Sequence, residues 1–300
     1  MDYHPIHSGH RHAHCHHTRA ASLIALITML RFAANISFMF TERPFLDRFR
    51  AAAEAGFSAV EFHYPYDHDP RDLATRLDHY RLDPVLINIR AGQAELGEWG
   101  FAGVPGREAT FRPCVSEAIE YALAIGVPQI NCLAGVQPPD ADAAACEATL
   151  IANLRYAARE CALAKLAINL EPINTQDVPG YLVRNTAAAI RVMDAVAAAN
   201  LMLQYDCYHM QIMEGGDADA LTATIRRLLP RIGHIQFADA PGRHEPGSGA
   251  IDFQRLFARI DEMQRDGKYS GWVSAEYRPS AGSLTEETLG WLRTGYANEK

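Results

Sequence analysis

A single (β/α)8 TIM barrel of the α/β class is the fold this sequence predicts, and three observations carry the expectation. From Met29 onward, eight short apolar or β-branched runs alternate with eight longer amphipathic stretches, the pattern of repeated βα units. The chain has 300 residues, and a one-domain barrel takes roughly 250. It contains neither a GxGxxG turn nor a Walker loop, whereas a doubly wound open sheet usually has fewer strands and a Gly-rich first turn.

In chain order, the first strand, 32–36, reads Phe-Ala-Ala-Asn-Ile, and the helix at 45–55 that follows it stops at Gly56. Strand 59–62 precedes helix 71–80, and strand 85–89 precedes helix 111–125, which Gly126 ends. The middle units pair strand 129–133 with helix 144–163, strand 166–170 with helix 186–198, and strand 201–205 with helix 218–229. Strand 232–237 with helix 253–265 and strand 272–275 with helix 284–294 complete the eight. No linker rich in Pro, Gly or Ser interrupts the alternation, so residues 29–300 read as one domain.

Residues 1–28 read differently. Seven of the 13 histidines fall there, at His4, His7, His10, His12, His14, His16 and His17. No period in this segment packs a core, so a disordered His-rich extension or an over-extended translation start is expected. The apolar run 20–30 behind Arg11 and Arg19 offers a secretory signal as the competing reading, but it leads directly into the first strand. No segment approaches the roughly 20 apolar residues of a membrane span. The six cysteines form no CxxC pair or regular framework, which predicts buried thiols in a reducing, cytoplasmic compartment.

With 28 Lys+Arg against 36 Asp+Glu the formal charge is −8, and because residues 1–28 contribute Arg11, Arg19 and Asp2, the barrel itself carries −9. That balance disfavours a nucleic-acid partner. A small anion stays compatible, since a few arginines inside a pocket reverse the local potential.

In a barrel, polar residues just past a strand's C-terminal end point into the mouth. Here those residues are mostly acidic: Glu171 after Ile168-Asn169-Leu170, Asp206 after Leu203-Gln204-Tyr205, Gln236 after Ile235, and Glu276 after Val273-Ser274-Ala275. They recur at intervals of 35, 30 and 40 residues, near the roughly 31 expected per unit. Three carboxylates and an amide converging on one apolar mouth repel one another unless a cation sits among them. All-oxygen ligation favours Mg²⁺ or Mn²⁺ over Zn²⁺. Glu61, after Ala59-Val60, is left as pocket wall or as a group behind the ligands. His209, three residues after Asp206, reaches the same mouth either as a hydrogen-bond donor to substrate or as a loop histidine bonded to backbone. His63 has pocket-lining, stacking and structural readings, His234 reads as core or barrel bottom, and His68, His79 and His244 read as surface or loop residues.

Many short segments then fall into one familiar order. They are Arg31-Phe32-Ala33-Ala34-Asn35, Glu61-Phe62 with Tyr64-Pro65-Tyr66-Asp67, Val104-Pro105-Gly106-Arg107-Glu108, Ile130-Asn131-Cys132-Leu133, Glu171-Pro172-Ile173-Asn174, Gln204-Tyr205-Asp206 with Tyr208-His209-Met210-Gln211, Gly233-His234-Ile235-Gln236, and Gly271-Trp272-Val273 with Glu276-Tyr277. In these the chain from Met29 to its C-terminus resembles the hydroxypyruvate isomerase family of the xylose-isomerase-like barrels. The resemblance implies isomerisation of a small 2-oxo or 2-hydroxy acid, such as hydroxypyruvate to 2-hydroxy-3-oxopropanoate (tartronate semialdehyde). It further implies Glu171 and Glu276 as the proton-transfer pair, and Glu171, Asp206, Gln236 and Glu276 as metal ligands.

An acid substrate needs a cation in this acidic mouth, and Arg243 is the first candidate, with Arg107 and Arg90 behind it; each also has a plain surface reading. Two departures from the family pattern bear on substrate size. Asn88-Ile89-Arg90-Ala91-Gly92 stands where an Asn-Leu-Pro type turn is expected, and extra residues around Glu214-Gly215-Gly216-Asp217 lengthen a mouth loop. 2-Oxotetronate is therefore the alternative substrate. A sugar epimerase generally has histidine where Gln236 stands, a non-catalytic sugar-acid-binding barrel needs no glutamate pair, and an abasic-site endonuclease needs a His-rich zinc cluster and a basic face. A homo-oligomer is compatible with the sequence.

Overall fold

A computed structural model describes Met1 and residues 30–293; the expected extension at 1–28 otherwise lies outside the described residues. The strands are β1 (Phe32–Asn35), β2 (Ala59–Glu61), β3 (Asp83–Pro84), β4 (Ile87–Asn88), β5 (Gln129–Cys132), β6 (Ala167–Leu170), β7 (Leu201–Asp206), β8 (Ile232–Phe237) and β9 (Val273–Ala275). All pair in parallel, in the order β3-β2-β1-β9-β8-β7-β6-β5-β4. The expected third strand, 85–89, is instead two short pieces. Pro84 lacks a donor N–H, so the segment pairs with β2 through Asp83–Pro84 and with β5 through Ile87–Asn88. Backbone bonds from Val85 to Val60, from Phe62 to Leu86 and from Ile89 to Asn131 carry the segment along both neighbours, and so the ring closes as a barrel of eight positions.

The helices are α1 (Phe45–Glu54), α2 (Pro70–Tyr80), α3 (Glu108–Ile125), α4 (Ala143–Leu163), α5 (Thr186–Val196), α6 (Cys207–Glu214), α7 (Ala218–Leu228), α8 (Phe253–Arg265) and α9 (Gly290–Arg293). Carboxylates and amides cap many of them: Asp69, Asp142, Asn185, Asp217 and Asp252 each accept a first-turn backbone N–H. Sequence reading places no helix at α6, because 207–214 follows β7 without a break and lacks a long amphipathic stripe. The expected last helix, 284–294, is a 3-10 turn at Thr285–Thr288 followed by α9. Its threonines turn inward: Thr285 Oγ1 accepts from the backbone of Phe40 and Thr288 Oγ1 bonds the Tyr277 hydroxyl. Residue 294 lies outside the described residues. Among the described residues no helix is long and apolar enough to cross a membrane.

Strand alternation sorts two populations. Outward residues such as Leu203, Tyr205, Ile235 and Phe237 pack against the helices, where Phe237 meets Phe32, Phe257 and Trp291 ring to edge and Phe253 at a tilt. Inward positions, by contrast, are largely polar: Asn35, Glu61, Asn131, Asn169, Gln204, His234, Gln236 and Ser274 are all buried. Branched aliphatics usually fill such a barrel. Here the interior is a hydrogen-bonded layer instead, and that layer supports the mouth.

Candidate active site

The register of the sheet sets which side chains share a height. Asp206 pairs with Gln236 across β7 and β8, helped by a register shift at Leu203/Gln204. Glu171 follows the last residue of β6 and Glu276 the last of β9. All four are buried at the C-terminal mouth of the barrel, the end at which such barrels carry their chemistry.

Neighbouring amides orient them. Asn131 Nδ2 donates to Glu171 at 2.7 Å. Asn35 Nδ2 donates to Glu276 at 3.1 Å and to Glu61 at 3.0 Å, and His63 Nε2 lies 3.1 Å from the same amide and 3.6 Å from Glu276 Oε1. Gln236 Nε2 donates to Glu61 at 2.7 Å and also to Glu276, while its carbonyl accepts from Gln204 Nε2 at 2.7 Å. Turning the Gln204 and Gln236 amides over together preserves their mutual bond and offers Gln236 Oε1 to the carboxylates' side. Glu61 has both oxygens occupied, by Asn35 and Gln236 on one and His234 Nε2 at 2.6 Å on the other. Glu61 therefore stands behind the mouth and braces it.

Arg243 is the cation that reaches this cluster. Its Nη2 donates to Glu276 Oε1 at 2.5 Å and to Asp206 Oδ2 at 3.2 Å, with only 12% of the side chain exposed. The guanidinium lies over the rings of Phe38 at 4.7 Å and Tyr208 at 5.1 Å. One cation cannot compensate three buried carboxylates. Burial, then the charges of Glu276 and Asp206, push the Glu171 carboxyl well above its ordinary range. Burial raises Asp206 to about 7 although Arg243 opposes it. At Glu276 burial also acts upward, but Arg243 and then His63 outweigh it and hold the carboxyl at about 2. The site is short of positive charge, which a bound metal ion would supply. Glu171, Asp206 and His209 bring side-chain polar atoms within 4.8 Å of one another, and the carboxylates of this buried group could hold a metal ion beside His209.

His209 sits on α6, whose first turn is capped by Asp206 itself through the Tyr208 N–H. Its Nε2 is 3.5 Å from Asp206 and 3.9 Å from Glu171. Its Nδ1 faces the Asn174 Nδ2 at 2.7 Å. The Asn174 carbonyl is committed to the backbone N–H groups of Gln176 and Asp177, so Asn174 must donate to His209 Nδ1. The imidazole therefore carries its proton on Nε2, pointing at the carboxylates. Burial, then Arg243, lower its pKa and keep the ring neutral.

Of the residues expected from sequence, Glu171, Asp206, Gln236, Glu276, His209 and Arg243 come together. Arg90 and Arg107 do not join them. Arg90 makes a bidentate pair with Glu117 at 2.9 and 3.0 Å and lies over Tyr66; Arg107 pairs with Glu98 at 3.0 Å over Phe101. Sequence reading missed Asn35, Asn131 and Gln204. Their signal was a period-two polar pattern inside the strands, as in Asn169-x-Glu171, Gln204-x-Asp206 and His234-x-Gln236. A cavity of about 500 Å³, lined by Asp177, Tyr208, Gln211 and Arg278 among others, meets the cluster at Arg243, which also lines it.

Residues 49–295 match the family model described as xylose isomerase-like TIM barrel. The chain is 46% identical over 265 residues to the 2-oxo-tetronate isomerase of Cupriavidus necator, covering 88% of this chain and 98% of that one. It is 44% identical over 264 residues to the hydroxypyruvate isomerase of Escherichia coli, again with 88% and 98% covered. A crystal structure described as an AP endonuclease of family 2 from Brucella melitensis superposes with a TM-score of 0.82 at 41% identity, over 88% of this chain and 98% of that one. A 3-keto-D-glucoside 4-epimerase from Escherichia coli shares the fold at 22% identity and a TM-score of 0.69, over 88% and 99% of the two chains. The closed parallel barrel, the acidic mouth and these matches lead to one conclusion: the chain belongs to the xylose isomerase-like TIM barrel family.

Proposed function

We propose that this protein is a sugar-acid isomerase that interconverts hydroxypyruvate and 2-hydroxy-3-oxopropanoate, with 2-oxotetronate as the four-carbon alternative. The observation that carries this reading is the pair of buried glutamates, Glu171 and Glu276, projecting from β6 and β9 around Asp206. The names of the relatives, two of them a 2-oxo-tetronate isomerase and a hydroxypyruvate isomerase, point the same way.

Glu171, Asp206, Glu276 and a turned Gln236 would hold Mg²⁺ or Mn²⁺, as their all-oxygen donor set favours. When bound, such a cation polarises the substrate's carbonyl and hydroxyl oxygens and stabilises the negative charge that develops on them. In hydroxypyruvate a glutamate takes a proton from C3; the C–H electron pair forms the C2–C3 double bond of an enediolate. The carbonyl π pair moves to O2 as the enediolate forms; a proton then returns to C2 while the O3 proton passes to O2, leaving the aldehyde at C3 and a hydroxyl at C2, with no net oxidation. Glu276, kept ionised by Arg243, and Glu171 would serve as the pair that takes the proton from C3 and returns one to C2. His209 Nε2–H is placed to donate to a substrate oxygen. Asn131 and Asn35 keep the two glutamates aimed.

We also infer a cytoplasmic location, supported by five described cysteines that are all free and buried. An endonuclease reading finds less support, because the metal-capable group among the described residues contains one histidine.

Turnover of hydroxypyruvate and 2-oxotetronate, each with and without chelator, tests the reading. Glu171→Gln and Glu276→Gln are each expected to lower kcat by roughly 10²–10⁴-fold while leaving the barrel folded. Wild-type rates in both folded variants would remove the two-glutamate scheme. Substrate hydrogen should exchange with solvent deuterium during turnover; its full retention would favour a hydride shift.

A further inference from the structure

We propose that Arg278, at the rim of the mouth, recognises the substrate carboxylate and so sets the preference for acids over neutral sugars. The inference rests on the isomerase reading and adds to it a specificity-determining residue. It starts from a difference between two arginines that lie over the same ring. Arg243 and Arg278 place their guanidinium carbons 4.7 and 4.5 Å from the centroid of Phe38. Arg243 is already committed: Nη2 bonds Glu276 and Asp206, and Nε faces the Glu276 carbonyl at 3.4 Å. Its charge is drawn into the carboxylate cluster at the reacting end. Arg278 has no carboxylate within ion-pair distance among the described residues, and it is exposed and lines the same cavity as Arg243.

An arginine without a partner is commonplace on a surface; this one is held in place. Its backbone N–H donates to the Arg243 carbonyl at 2.9 Å, and its own carbonyl accepts from His244 Nδ1 at 2.8 Å. The Arg243 φ of 58° turns that carbonyl outward to meet it. The loops after β8 and β9 are thereby tied together, and the guanidinium rests over the ring of Phe38. A preorganised guanidinium loses less freedom when it takes a carboxylate in bidentate geometry. The acidic groups nearby are largely spent. Asp177, which also lines the cavity, accepts from Asn174 and the Tyr208 hydroxyl, each at 2.9 Å, and Glu245 is taken by the backbone and hydroxyl of Ser280. A substrate whose oxo and hydroxyl oxygens face the glutamates would then extend its carboxylate towards Arg278.

The test compares wild type, Arg278→Ala and Arg278→Lys on hydroxypyruvate and on its uncharged counterpart dihydroxyacetone. Arg278→Ala is expected to raise KM for the acid roughly tenfold or more, as loss of a charge-assisted bond implies, with kcat within about twofold. Dihydroxyacetone should show no change, and Arg278→Lys should recover most of the acid's KM. An unchanged acid KM, or an equal rise for both substrates, overturns the proposal while leaving the isomerase reading intact. Calorimetric binding of pyruvate, an unreactive 2-oxo acid, separates the two ideas from the other side. If wild type turns over neither acid yet binds pyruvate at least tenfold more tightly than Arg278→Ala does, the carboxylate site stands and the isomerase reading falls. If wild type neither turns over nor binds, both fall.

Discussion

Replacing Arg243 by methionine keeps most of its volume and removes the cation that contacts the carboxylate cluster. In the wild type, Glu276 is held at about 2 against an ordinary 4.5 because Arg243, helped by His63, outweighs burial. At roughly 1.4 kcal/mol per pH unit, that depression contributes about 3 kcal/mol to stability at pH 7. A depressed folded-state value stabilises above the unfolded value and is lost as the pH falls towards the folded one. The contribution should therefore shrink to about 1 kcal/mol at pH 3. The measurement is urea unfolding of chelator-treated wild type and Arg243→Met at both values. The variant should be less stable by about 3 kcal/mol at pH 7 and by clearly less at pH 3. In a Glu276→Gln background, which has no charge at that position, this pH-dependent part of the gap should shrink to what Arg243 contributes through Asp206 and Glu171. The reasoning is refuted if the variant matches wild type at pH 7, or if its deficit is the same at both pH values.

Three further outcomes follow from the same geometry. Because burial raises Asp206 to about 7 and lifts Glu171 well above its ordinary range, the metal-free site holds protons near neutrality; a divalent cation must displace them. Its affinity should fall as pH drops from 8 to 6, and calorimetry in buffers of different ionisation enthalpy should show proton release. Gln204→Leu removes the partner that orients Gln236 and should weaken metal binding roughly 10–100-fold with little loss of stability, read by titration with Mn²⁺. Gly100 has φ +107°, and a Cβ there would meet the Leu133 carbonyl at the end of β5; Gly100→Ala should lower unfolding stability by roughly 2–3 kcal/mol.

The sequence by itself determined the βα alternation, the number of barrel positions, and the one acid or amide that each of β6 to β9 presents at its end. These are local properties: apolar period marks an element, a glycine such as Gly56 or Gly126 marks a helix end, and the residue after a parallel strand faces the mouth. Sequence also carried, unread, the polar period that makes the barrel interior a hydrogen-bonded layer of Asn35, Asn131 and Gln204. What only the tertiary structure decided was partnership. Arg90, Arg107, Arg243 and Arg278 are one residue type, yet Arg90 and Arg107 close on Glu117 and Glu98, Arg243 enters the carboxylates, and Arg278 stays open over Phe38. The tautomer of His209 depends likewise on Asn174, 35 residues away. Charge pairing depends on through-space distance and on burial, and both are set by how the barrel closes, so no spacing along the chain could assign them.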